Sequence, residues 1–262
     1  MARSDTAPKS LAAAQKALAL APQLAAAHLA LANGPYEDNW EWAKAEAEFK
    51  KALELDPSLA RGHDWYGLFL SALGRHQEAI AHTQRAVDLE PFNLHFNGDL
   101  ALAFWRARMY DRALEQNKKT VELDPSFAGG HDGLSGTYYT LKRYDEWLAE
   151  WRQAASLYKV PESIALQEAA ARGYAKGGIH GALAAELDES LKQHARGIYV
   201  DPADIAWLYA TLGEKEQMFR WLETALAEKS GHLFYMKAFP EYDPYRSEPR
   251  FRAILAKMGL PE

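Results

Sequence analysis

Residues 50–60, KKALELDPSLA, decide the fold because the chain repeats them twice, as QRAVDLEPFNL at 84–94 and as KKTVELDPSFA at 118–128. The prolines of these three stretches are 34 residues apart, and prolines at similar intervals flank them on both sides. The series is Pro22, Pro57, Pro91, Pro125 and Pro161. A period of about 34 residues is typical of stacked helix–turn–helix units. The sequence therefore predicts an array of helix pairs.

Small side chains recur at fixed places within these repeats. Neighbouring helix axes lie about 8–10 Å apart, and the closer spacing requires small residues at the contact. Gly67, in the first helix of its repeat, and Ala79, in the second helix, are therefore expected to face each other. Two neighbouring repeats carry Ala45 and Ala113 at the place of Ala79. Trp147 stands there in a fourth repeat, which is predicted to splay its helices or to shift their register.

The turns inside the repeats have a pattern of their own. Gly74 and Gly213 follow the first helix of their repeats, where a residue in the left-handed conformation commonly ends a helix. Arg108 and Lys142 stand in place of that glycine in two other repeats. A left-handed conformation costs more for residues with a side chain, so these two turns are predicted to be strained.

The second helix of each repeat is expected to end at the residue before the proline, because proline pushes that residue out of the α region. A serine oxygen next to the proline could then bond to the free amides of the following helix. The sequence offers such capping residues at Ser58 and Ser126.

In these features the chain resembles the tetratricopeptide repeat family. The first helices share an apolar, a small and a large residue in series, as in Tyr66, Gly67 and Leu70. The resemblance implies an all-α fold, a right-handed superhelical solenoid of antiparallel helix pairs over residues 1–230. The expected divisions are a half repeat at 9–22, repeats at about 23–57, 58–91, 92–125 and 126–161, and looser units at 162–197, broken near Gly177 and Gly178, and at 198–230.

The last residues, 231–262, differ from the repeats and contain several prolines. We expect them to cap the array, with a last helix at about 248–258, because terminal repeats are commonly atypical. Together with this tail, the chain is similar to the C-terminal repeat region of certain bacterial multidomain regulators. In those proteins the repeats follow a winged-helix, cyclase or Ser/Thr kinase domain, which this sequence lacks. The resemblance implies a regulatory or scaffolding module.

Composition excludes several classes of function. The chain has no cysteine, so disulfides and thiolate chemistry are ruled out, and a reducing compartment such as the cytoplasm is expected. Its net charge of -6 is mild and mixed, which argues against a nucleic-acid partner. No apolar run approaches the length of a membrane helix, which requires about 18 residues. The sequence predicts neither a membrane association nor a cofactor.

The candidate chemical motifs are better explained by packing. Ser135 lies in GLSGT, which lacks the last glycine of a hydrolase elbow and falls in a predicted helix. The pairs His63-Asp64 and His131-Asp132 are two repeats apart, too far to share one metal ion. We interpret the two histidines as packed between helices, with the carboxylates on the groove. The sequence therefore predicts no enzyme and no metal site.

The resemblance also implies a concave groove formed by the first helices. Trp105 and Tyr139 fall one residue after a core position, on the side that faces this groove. Five charged residues or histidines are expected to face the same way: Arg61, Asp64, His95, Arg106 and Asp132. For this set, partner binding and a merely solvated face are equally supported. The lysines and asparagines with which one subclass grips a C-terminal carboxylate are absent, which disfavours an acidic peptide tail.

Two functions follow from these observations. The first is a protein–protein interaction scaffold that holds a protein or peptide segment along the groove, since aromatic and arginine side chains are the usual anchors of such surfaces. The second is a small-molecule-sensing regulatory module, which a compact pocket with converging polar groups would favour.

The N-terminus predicts an uncovered helix. Counting back from Pro22, the first repeat supplies only its second helix, at about residues 9–20. Leu11, Ala14 and Leu18 then lack their partner helix. We expect either a module cut from a longer protein or a homo-oligomer formed through this edge, with a strip left exposed to water as the alternative.

Overall fold

The computed structural model describes residues 3–260, with side chains described for residues 9–33 and 40–260. All regular elements within this range are helical, which confirms the predicted fold class. The α-helices are α1 Arg3–Leu20, α2 Ala25–Asn39, α3 Trp42–Leu55, α4 Ala60–Ala72, α5 His76–Leu89, α6 Leu94–Arg106, α7 Tyr110–Leu123, α8 Ala128–Thr140, α9 Tyr144–Tyr158, α10 Pro161–Ala195, α11 Pro202–Leu212, α12 Lys215–Ala227 and α13 Pro249–Lys257.

The chain divides into two compact units, residues 1–91 with 255–262, and residues 92–254. The first contains the helix pairs α2/α3 and α4/α5, with α1 packed on α2. The second contains the pairs α6/α7, α8/α9 and α11/α12, together with α10. Residues 231–254 of the tail belong to the second unit. They include two short 3₁₀ helices, Leu233–Tyr235 and Pro240–Tyr245.

The expected contact between small residues inside a repeat is confirmed in α4/α5. Both Gly67 and Ala79 are fully or almost fully buried. A Cβ atom added to Gly67 would lie 3.0 Å from the carbonyl oxygen of Ala79 and 2.6 Å from Cγ2 of Thr83. Only glycine therefore allows α4 to approach α5 this closely.

A polar pair joins the two helices of four successive repeats at the same level, and we call these the seam pairs. They are His28 Nδ1–Glu48 Oε2 at 2.6 Å, His63 Nδ1–His82 Nδ1 at 2.9 Å, Asn97 Oδ1–Gln116 Nε2 at 2.7 Å and His131 Nδ1–Glu150 Oε2 at 2.6 Å. Each histidine on a first helix also places Nε2 3.0–3.1 Å from the carbonyl oxygen of the preceding repeat's proline. These histidines lie between helices, as predicted.

The turns follow the sequence pattern at the glycines and depart from it at the serines. Gly74 and Gly213 have φ of +79° and +81°, while Arg108 and Lys142 take the same left-handed conformation with φ of 62° and 59°. The predicted strain therefore lies at Arg108 and Lys142, which adopt the left-handed conformation although they carry side chains. The serine caps are wrong: Ser58 and Ser126 donate hydrogen bonds back to the aspartates before the prolines, Asp56 and Asp124.

The structure breaks α10 where the sequence suggested. Gly177 and Gly178 are non-helical, and Gly178 has φ 59° and ψ -150°, a region open essentially to glycine alone. The direction of the helical chain therefore reverses at these two glycines.

Near the N-terminus, α1 buries Ala14, while Leu20 is 81% exposed. Association of two copies through this edge stays a prediction, which light scattering after size exclusion would test.

Candidate binding cavity

A cavity of about 650 Å³ lies in the second compact unit, between the first helices α6 and α8 and the tail. Both helices present one face to it, and Phe239 of the tail and Tyr158 at the end of α9 complete the wall. The polar or charged residues that line it are His95, Asp99, Arg106, Asn117, Asp132 and Thr137. A volume of this size lies in the range of ordinary ligand sites, about 300–1,000 Å³.

Glycines keep the cavity open along both helices. Gly98 lies in α6, and Gly136 lies in α8, four residues beyond the position that corresponds to Gly98 in its repeat. A Cβ atom added to either glycine would meet no other atom within 4 Å. Gly133, by contrast, is packed against the Asn117 side chain. That side chain is held by its hydrogen bond to Thr137 Oγ1, at 3.2 Å. The space at Gly98 and Gly136 is therefore available to a ligand.

Aromatic side chains form the apolar wall. Trp105 donates from Nε1 to Thr140 Oγ1 at 2.9 Å, which fixes its indole ring. The ring of Phe239 meets Trp105 edge-on, with centroids 5.4 Å apart. Further along the cavity, His95 meets Phe127 in the same manner at 5.1 Å. The arrangement offers fixed ring faces and edges, which suit a partly apolar ligand.

Arg106 brings a buried positive charge to the cavity. The residue is only 6% exposed, and its guanidinium lies 3.6 Å from the centre of the Tyr235 ring. Its Nη1 atom is buried without a hydrogen-bond acceptor among the described residues. A buried donor of this kind is costly unless it is satisfied. The Tyr235 ring stabilises the charge from one side through a cation–π contact.

Asp132 brings a negative charge to the same cavity. The residue is exposed, yet it lines the cavity, and desolvation by the surrounding protein raises the pKa of Asp132. The Tyr158 hydroxyl is near: burial and the charge of Asp132 together raise the pKa of Tyr158. The cavity therefore combines aromatic walls with one cation and at least one carboxylate.

The structure brings together four of the seven residues expected on the groove. His95, Trp105, Arg106 and Asp132 line the same cavity. Tyr139 does not line it, because its ring packs between Trp147 and Trp207 at 5.3 and 5.4 Å. The remaining two belong to the first compact unit, where the guanidinium of Arg61 lies over the Trp65 ring and Asp64 is buried.

Sequence reasoning missed Phe127, Tyr158 and Phe239 as cavity residues. The first two lie at the ends of helices, where the repeat pattern assigns no groove position. Phe239 comes from the tail, more than a hundred residues along the chain from Trp105.

Of the serine, histidine and aspartate side chains in the chemical motifs weighed earlier, only Asp132 lines the cavity. Ser135 is buried within α8, at 4% exposure. In the described part of the chain no three His, Asp or Glu side chains converge as a metal ion would require. None of the described helices has the length and apolarity to cross a membrane.

Comparison with known proteins identifies the repeat. Residues 60–93, which cover α4 and α5, match the tetratricopeptide repeat family. Hsp70-Hsp90 organizing protein 1 of Glycine max is 26% identical over 113 residues, 43% of this chain and 20% of that protein. Anaphase-promoting complex subunit 3 of Schizosaccharomyces pombe is 26% identical over 121 residues, 45% of this chain and 18% of that protein. The chain thus matches only about a fifth of the length of these relatives.

Two solved structures share the fold over most of the chain. PilW, a type IV pilus biogenesis factor, superimposes with a TM-score of 0.60 at 20% identity, over 76% of this chain and 90% of that one. PilF of Pseudomonas aeruginosa gives 0.55 at 15% identity, over 90% and 98%. With the helix pairs described above, these likenesses show a tetratricopeptide-repeat solenoid.

Proposed function

We propose that this protein is an interaction scaffold that holds a segment of a partner protein in the cavity between α6 and α8. The observation that carries the proposal is the cavity itself, where fixed aromatic rings, a buried arginine and open glycine positions converge. Aromatic and arginine side chains commonly dominate the binding energy of protein interfaces. The repeat family and the organizing protein it resembles are consistent with this role.

A small-molecule-sensing module is the second candidate. Its support is the cavity volume, about 650 Å³, which falls in the range of small-ligand pockets. The two functions differ in the size of the occupant and share the same site. Neither invokes catalysis, and no pair of acid, base or nucleophile in the cavity suggests it.

Filling the cavity tests both candidates. Gly136→Leu places a side chain in space where no other atom lies within 4 Å, so the fold should tolerate it while the cavity loses volume. The matched control is Ala81→Leu, which adds a similar side chain at an exposed position of α5. Wild-type protein and the control should capture the same partner from a lysate of the source organism, and Gly136→Leu should not. Native mass spectrometry of the purified protein detects a small-molecule occupant instead.

The proposal fails if Gly136→Leu, folded by circular dichroism, captures the same partner as wild type with the same yield. A partner that binds outside the cavity would give that result. Loss of capture by the Ala81→Leu control as well would place the interaction on another surface.

A further inference from the structure

Two opposite charges lie at different levels of the cavity. Asp132 occupies the same place in α8 as Gly98 occupies in α6, one 34-residue period earlier. Arg106 lies eight residues beyond Gly98 on α6. A helix rises about 1.5 Å per residue, so the backbone positions of the two residues are offset by about 12 Å along the helix direction. The cavity is therefore electrically polar along its length.

The cation end calls for an acidic group. Arg106 is almost fully buried, and its Nη1 atom has no hydrogen-bond acceptor in the described part of the chain. The ring of Tyr235 covers one face of the guanidinium but cannot accept an in-plane hydrogen bond as a carboxylate does. Nη1 itself has almost no accessible surface, but Arg106 lines the cavity, and an anionic group there would pair with a guanidinium charge that no described carboxylate neutralises.

The other end calls for a basic group. Asp132 lines the cavity close enough to Tyr158 for its charge to help raise the pKa of Tyr158, and Phe127 lines the same cavity. A carboxylate flanked by aromatic rings suits an ammonium or guanidinium group, which can pair with the charge and rest on a ring face. A uniformly acidic segment would meet repulsion here.

These observations fit one kind of occupant. Resting on the proposed function, we infer that the cavity selects a partner segment with a basic and an acidic residue about three or four positions apart, the acidic group at Arg106 and the basic group at Asp132. The spacing follows because an extended chain spans about 3.3–3.6 Å per residue. Apolar side chains next to the acidic group of the segment would meet Trp105 and Phe239, which lie at the Arg106 end of the cavity.

A phage-displayed library of random nonapeptides tests the inference with the full chain. Clones are kept if wild-type protein enriches them and Gly136→Leu does not, which restricts the analysis to peptides that require the open cavity. Within this set, Lys or Arg should co-occur with Asp or Glu three or four positions away several-fold more often than in the unselected library. Arg106→Met should lose the acidic preference and keep the basic one, and Asp132→Asn should do the reverse.

A synthetic peptide from the selection then gives the decisive measurement. Arg106→Met and replacement of the peptide's acidic residue by its amide should each weaken binding about tenfold, and the two changes together should cost no more than one alone. Asp132→Asn offers an independent arm at an exposed residue, should the buried substitution lower the melting temperature.

The possible outcomes distinguish failure of the charge-pair inference from failure of the proposed scaffold function. Cavity-dependent peptides without the charge pair, or two changes whose effects simply add, overturn the inference and leave the scaffold function standing. A library with no cavity-dependent peptide contradicts the scaffold function itself, and the inference with it.

Discussion

Replacement of His82 by glutamate should remove an acid-sensitive contact between α4 and α5. In two other repeats the seam pair is His–Glu, and both ring nitrogens of the histidine face an oxygen atom. In this repeat His63 faces His82 instead. Because His63 Nε2 donates to the carbonyl oxygen of Pro57, its Nδ1 is left to accept from His82. The pair keeps this hydrogen bond only while at least one ring is neutral, since two protonated rings would set N–H donors and like charges against each other.

The pKa values give the sign and the size of the effect. Burial lowers the pKa of His63, and burial together with the charge of His63 lowers the pKa of His82 to about 4. Glu78 opposes this shift and Arg75 adds to it. Below pH 6.5 the unfolded chain therefore binds protons at these histidines more readily than the folded chain does. The stability that the neutral rings contribute is fully present above pH 6.5 and is lost as the pH falls toward 4. Between pH 7.5 and pH 5, His82 alone should account for about 1 kcal/mol, because solvent screening of the partly exposed ring reduces the roughly 2 kcal/mol that the full pKa shift would give.

Urea unfolding at pH 7.5 and pH 5 measures this loss. His82→Glu should abolish it, because the carboxylate raises the pKa of His63 and makes its pair more favourable at pH 5 than at pH 7.5. His82→Gln is the matched control, since it copies the neutral Asn97–Gln116 pair and carries no titrating group. It should lose less free energy than wild type over this range, because the buried His63 still titrates whereas the contribution of His82 is gone. The reasoning is refuted if wild type and His82→Gln lose equal free energy between the two pH values.

Three further substitutions test the packing and the turns. Ala79→Phe should overpack the contact between α4 and α5 and lower the free energy of unfolding by roughly 1–3 kcal/mol or more, and an unchanged melting temperature would contradict the register. Gly178→Ala should cost about 1–3 kcal/mol because of its backbone conformation, whereas Gly177→Ala should be close to neutral; equal effects in thermal melts would argue against the break in α10. Lys142→Gly should raise the stability by about 1 kcal/mol by relieving a left-handed residue, and a lower melting temperature would contradict this.

The repeat pattern predicts the contacts that recur. Gly67 against Ala79, the histidines of the seam pairs and the left-handed turns at Arg108 and Lys142 all follow from a 34-residue period, because each repeat meets its partner helix in the same way. The break at Gly177 and Gly178 can be predicted for a different reason, since adjacent glycines in a helical stretch favour a reversal of the chain.

Contacts outside the period could not be predicted in this way. Phe239 reaches Trp105 from the tail, and no spacing in the sequence encodes that approach. Tyr139 turns into an aromatic cluster because Trp147 and Trp207 are large enough to meet it. The serines after the prolines fail as caps because the following helices begin one residue later, with Leu59 and Phe127 at the N-cap positions. The Ser58 hydroxyl donates to the Asp56 carboxylate instead.

The open glycines of the cavity carry a thermodynamic consequence. Glycine in a helix interior is less favourable than alanine by about 1 kcal/mol, so Gly98 and Gly136 together forgo about 2 kcal/mol of helix stability. Proteins of this kind are stable by only about 5–15 kcal/mol in total. Selection for heat resistance alone would therefore favour side chains at these two positions and would shrink the binding site as it strengthened the helices. Engineering of this scaffold for thermostability should leave both glycines in place.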